Sequence, residues 1–101
     1  MRRIHKYPIT EGFMRRVSIK GVVKVLHVAA QNGTPCIWVE FEENDNVVRS
    51  YQVLPTGGYP EAGARHVGSF LMDDGDLVWH VYEDADMAYE ARVPEQEEAV
   101  V

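Results

Sequence analysis

A chain of 101 residues, 46% of them hydrophobic and with a formal net charge of -6, predicts one domain around a single core and no second domain. No stretch approaches the ~20 apolar residues of a membrane span, and Met1 to Pro8 has no apolar region behind its positive charges. The expectation is a cytoplasmic protein without membrane contact. Cys36 is the only cysteine, which excludes an internal disulfide and leaves any zinc site mainly to histidines and carboxylates.

The charge is unevenly laid out. Met1 to Lys24 holds seven basic residues against Glu11 alone, Val25 to Tyr82 two against eight acids, and Glu83 to Val101 one against seven. Nucleic acid would meet a split field, so direct nucleic-acid binding is not expected, and the ordinary reading places the basic first strands beside acidic neighbours.

Arg2 to Tyr7 reads as a short strand ended by Pro8, whose ring fixes φ and removes a ladder donor. Phe13, Arg15, Val17 and Ile19 then alternate with Met14, Arg16 and Ser18 as a period-two strand, with Arg15 at the rim of its inward face. Val22 to Glu42 follows as the organising hairpin. Asn32-Gly33 between two apolar runs calls for a type I′ turn, because both residues tolerate positive φ. With Gln31 opposite Thr34, Ala30 faces Pro35, Ala29 faces Cys36, Val28 faces Ile37 and His27 faces Trp38. The same register continues with Leu26 opposite Val39, Val25 opposite Glu40 and Lys24 opposite Phe41.

Glu42 to Asn46 is a polar turn, and Val47 to Leu54 a strand in which Val47, Tyr51 and Val53 share a face with Arg49. Pro55 to Ala64, with three glycines and two prolines, is a loop. His66 to Met72 returns to strand character, Asp74-Gly75 turns a second hairpin, and Leu77, Trp79 and Val81 alternate with Val78, His80 and Tyr82. Ala85 to Ala91 reads as one or two helical turns, and the acidic Pro94 to Glu98 as disordered. Residues 1–83 thus form the domain and 84–101 an acidic tail. About seven short strands predict an all-β fold, a small antiparallel β-sandwich or open barrel, with Trp38 and Trp79 in its two best hairpins.

Lys6-Tyr7-Pro8, Gln31 to Trp38, Thr56-Gly57, Val67-Gly68-Ser69-Phe70 and Leu77 to Glu83, in that order and spacing, resemble a family of small uncharacterised proteins common in bacteriophage genomes. The resemblance covers residues 6–83. It implies a phage or prophage origin and brings no catalytic residues. The chain departs from the pattern at Gly58, where the loop often has histidine after Thr-Gly, and in its acidic tail.

Several constellations bear on chemistry. His5, His27, His66 and His80 are metal-ligand types, but no two have a local ligand spacing and each falls in a different strand, so ordinary half-buried or surface histidines are expected. Cys36 lies diagonal to His27 in the hairpin, but Glu40 nearby opposes the electropositive setting a catalytic thiolate needs. Thr56, Gly57 and Gly58 form a loop whose uncovered N–H groups suit an anion, with Tyr59 and Arg65 as stacking and charge partners for a nucleotide-like ligand, although no P-loop motif is present. His27 beside Trp38, and His80 beside Trp79, pair an imidazole with an indole that can stack on a partner.

The expectation is a non-enzymatic phage accessory protein without cofactor, binding a host protein or its own copies as a homodimer. One alternative is sequestration of a nucleotide-like defence signal by Thr56 to Tyr59 with Arg65. Another is acidic nucleic-acid mimicry by Glu40, Glu42, Glu43, Asp45 and the tail.

Overall fold

The structure is a computed structural model that describes residues 1–9, 15–72 and 75–85. Seven strands run in order: β1 (Arg2–Pro8), β2 (Arg16–Lys20), β3 (Val22–Gln31), β4 (Thr34–Glu42), β5 (Val48–Pro55), β6 (Arg65–Met72) and β7 (Leu77–Glu83). They form two antiparallel sheets, β1-β4-β3 and β2-β5-β7-β6. The expected all-β fold takes the sandwich form, because the sheets do not close into a barrel. Among the described residues there is no helix, and so none long and apolar enough to cross a membrane.

Alternation builds the core. Side chains two apart share a sheet face, and Ile37 and Val39 of β4, Tyr51 and Val53 of β5, and Val81 of β7 are all buried together with Val28, Ile19 and Phe70. The sheets meet where β3 runs along β6. A Cβ on Gly68 would come 2.7 Å from Cγ2 of Val28, so the missing side chain is what lets β6 pass so close. β5 is buried on both faces, because the loop after Pro55 and Asp84 cover its outer side: Gln52 Nε2 donates to Asp84 Oδ1 at 3.3 Å, and Arg16 ties Asp84 to Glu61.

The central hairpin forms with Asn32 at φ 52° and Gly33 at φ 77°, and its register runs as expected from Gln31 opposite Thr34 to His27 opposite Trp38. Below that the expectation fails. Leu26 and Val23 are extra residues on β3, so Val25 faces Val39, Lys24 faces Glu40 and Val22 faces Phe41. Each bulge sends one apolar side chain outward, leaving Leu26 and Val23 exposed while Val22 and Val28 stay buried.

Arg15 also differs from its expected place at a strand rim. It precedes β2 with φ 48°, and its guanidinium lies over the Trp79 ring, 5.2 Å from the centroid. Trp79 packs against the core only in part, with Nε1 buried and unpartnered among the described residues, and Trp38 stands half-buried on the face opposite Ile37. The Thr10 to Phe13 stretch, Asp73-Asp74 and the tail beyond Ala85, including the expected helical turns, lie outside the described residues.

Gly21 carries the turn from β2 into β3 at φ +82°, and a Cβ there would stand 2.6 Å from the Glu42 carbonyl oxygen. Gly21→Ala is therefore expected to lose about 1–3 kcal/mol through backbone strain, before any repacking. Urea unfolding followed by circular dichroism would read the loss.

Candidate binding surfaces

β1 is an edge strand, with β4 on one side and, among the described residues, no strand on the other. The Ile9 N–H donates to the Pro35 carbonyl at 2.8 Å, and the Glu43 N–H donates to the Met1 carbonyl at 3.4 Å. Peptide groups alternate sides along a strand, so those of Arg3, His5 and Tyr7 face β4 while those of Arg2, Ile4, Lys6 and Pro8 face outward. Pro8 sits where its missing N–H costs no ladder bond. The basic residues here meet acidic neighbours, as expected: Arg2 reaches Glu40 at 3.2 Å and Arg3 reaches Glu43 at 3.0 Å.

The outer face of this sheet carries the first predicted contact pair. His27 and Trp38 face each other across β3 and β4 with ring centroids 5.3 Å apart, and Lys6 flanks Trp38 from β1. Ile4, at 69% exposure, and Leu26 add apolar surface to the same face.

His80, the third predicted contact residue, lies on the other sheet, apart from this pair. There it joins the predicted loop. Thr56, Gly57, Gly58 and His80 line one pocket of about 200 Å³ with Leu54 and Tyr82. The Thr56 hydroxyl donates to the Val78 carbonyl at 2.9 Å, which leaves its oxygen to accept from His80 Nε2 at 3.0 Å. His80 Nδ1 then accepts the Ser69 hydroxyl proton at 2.8 Å, and Ser69 accepts from His66 Nε2 at 3.0 Å. Ser69 thus faces an imidazole lone pair, the first requirement of an activated nucleophile, but the far nitrogen of that ring meets a hydroxyl rather than a carboxylate.

Tyr59 and Arg65 do not join this pocket. Tyr59 is 90% exposed at the loop tip, and Arg65 lies at a second, larger pocket of about 350 Å³ that also takes in Arg49, Tyr51, His66 and Glu83. Arg65, Glu83 and Tyr51 form one cross-strand row over β6, β7 and β5. The buried Glu83 carboxylate receives Arg49 Nη1 at 2.9 Å through one oxygen and Arg65 Nη2 through the other. Arg49 Nε also donates to the Val22 carbonyl at 3.3 Å, linking the two sheets.

Burial, and then the Glu83 carboxylate, push the Tyr51 phenol well above the ordinary tyrosine value, against a smaller opposing pull from Arg49 and Arg65. A raised folded-state value favours the neutral phenol, so this contribution is whole below pH ~10 and is lost as pH climbs above it. The thermal midpoint is expected to fall above pH ~10, and Tyr51→Phe to flatten that fall.

Arg49, Tyr51, His66, Ser69 and Glu83 were absent from the sequence-based site. Arg49 on an otherwise apolar inward face was the one available signal. Among the described residues no group of three or more His, Cys, Asp or Glu could hold a metal ion.

Fold and surfaces together define an open two-sheet β-sandwich with β1 at the edge of one sheet and with pockets at Thr56–His80 and at Arg49–Glu83. The chain belongs to the family described as Domain of unknown function (DUF7352), which matches residues 1–92. Among curated proteins and solved structures, none matches it.

Proposed function

We propose that the protein is a non-enzymatic accessory protein of phage type that works by binding in the host cytoplasm, and that its first partner is a second copy of itself. The observation that carries this reading is the edge of β1, which no other described strand pairs with. An unpaired strand edge is a template for another strand unless it is blocked, and a two-fold axis makes the same patch serve both copies.

Placing that axis at His5 decides the register. Ile4 then faces Lys6 of the second copy, and both residues turn their N–H and C=O groups outward, so the two exchange ladder bonds. Arg3 faces Tyr7 and Arg2 faces Pro8. No arginine or lysine directly opposes another, whereas an axis at Ile4 would set Arg2 against Lys6, a like-charge pair that destabilises a sheet. The result is one six-stranded sheet with Trp38 and His27 on its outer face for a further protein, such as a host factor.

Light scattering coupled to size exclusion tests this. The expected mass is twice that of the 11.5 kDa chain. Ile4→Pro removes only an outward N–H, so it should give a folded monomer. A wild-type chain that stays strictly monomeric at high concentration would remove the proposal.

A second reading, capture of a nucleotide-like signal, is favoured by one observation: Thr56, Gly57 and Gly58 share their pocket with His80. It predicts a rise in thermal midpoint with cyclic or ADP-ribose-type nucleotides. The absence of any rise across such a panel would end it.

A further inference from the structure

The pocket between the sheets has a composition that neither reading uses. Its floor is Glu83, whose side chain is 5% exposed and whose two oxygens are each taken by one guanidinium. A guanidinium carries five N–H donors. Arg49 commits donors to Glu83 and the Val22 carbonyl, and Arg65 to Glu83, which leaves further donors on both. Arg65 is itself mostly exposed, so its remaining donors face solvent at the pocket mouth.

Lys24, Arg49 and Arg65 against Glu83 leave the lining of the pocket two positive charges in excess. Tyr51, 1% exposed as a whole, lines the same space. Val22 and Val67 supply apolar wall. The volume of about 350 Å³ lies at the small end of the range for specific ligand pockets.

We infer that this pocket binds a small organic oxyanion, its phosphate or carboxylate group held by the open donors of Arg49 and Arg65 and by the Tyr51 hydroxyl, its apolar part against the valines. The arginines are already clamped by Glu83, so little side-chain freedom is lost when the anion arrives. Glu83 sets their geometry and stays outside the anion's contacts. The pocket shares no lining residue with the β1 edge or the Thr56 pocket, and His66 connects it to His80 of the latter through Ser69.

The test is a titration of the full chain followed by two-dimensional amide spectra, with phenyl phosphate, benzoate and the neutral benzyl alcohol as probes. At least one anion is expected to saturate a single site, with shifts centred on Arg49, Tyr51, Arg65 and His66, and benzyl alcohol to leave them unmoved. Which anion binds more tightly separates the phosphate from the carboxylate source. Arg65→Ala should weaken binding about tenfold or more, and Tyr51→Phe, which keeps the ring and the core, about three- to tenfold at an unchanged spectrum elsewhere. Ile4→Pro should bind as the wild type does. No saturable shift at these residues with either anion, or equal affinity in wild type and both pocket variants, would overturn the assignment.

Discussion

Arg49→Met is expected to destabilise the fold by about 3–5 kcal/mol, a large share of the roughly 5–15 kcal/mol a domain of this size holds. Glu83 is 4% exposed, so its carboxylate cannot recover in water what it loses in the protein. Arg49 also carries the bond to the Val22 carbonyl that joins the sheets. Glu83→Leu should cost less, because both guanidiniums it frees reach solvent while the leucine fills an enclosed volume. The double variant Arg49→Met, Glu83→Leu should recover most of the loss. Equilibrium urea unfolding of the four proteins reads this as a cycle, and equal losses in both single variants would contradict the asymmetry.

Ile37→Ala is expected to cost about 2–5 kcal/mol. Ile37 is fully buried at the centre of β4, where the two outer strands of its sheet pair, and the cavity left by its truncation is walled by both sheets. Ile4→Ala on neighbouring β1 should change stability by no more than about 0.5 kcal/mol, because Ile4 faces solvent. Thermal unfolding by circular dichroism would separate the two residues, and similar midpoints would mean that the core lies elsewhere.

What could be read beforehand follows from local chemistry. Asn32-Gly33 fixes a turn through the φ it tolerates, and every pair from Gln31–Thr34 to His27–Trp38 follows from that turn by counting. The count fails at Leu26 because Val22, Val23, Val25 and Leu26 are all apolar, so an inserted residue leaves no break in the pattern to reveal it. Thr56 and His80 come together because β5 and β7 are neighbours, and Arg65 is drawn away because it stands opposite Glu83. Both facts depend on strand order, which no periodicity encodes. The same holds for β1: Pro8 marks an edge strand, but only the order β1-β4-β3 shows that no other described strand pairs with that edge.

Amide hydrogen exchange at β1, followed against protein concentration, tests the self-pairing most directly. The amides of Ile4 and Lys6 are predicted to gain protection as concentration rises, while those of His5 and Tyr7, already bonded to β4, keep theirs at every concentration. Fast exchange of Ile4 and Lys6 from the lowest to the highest concentration would contradict the pairing.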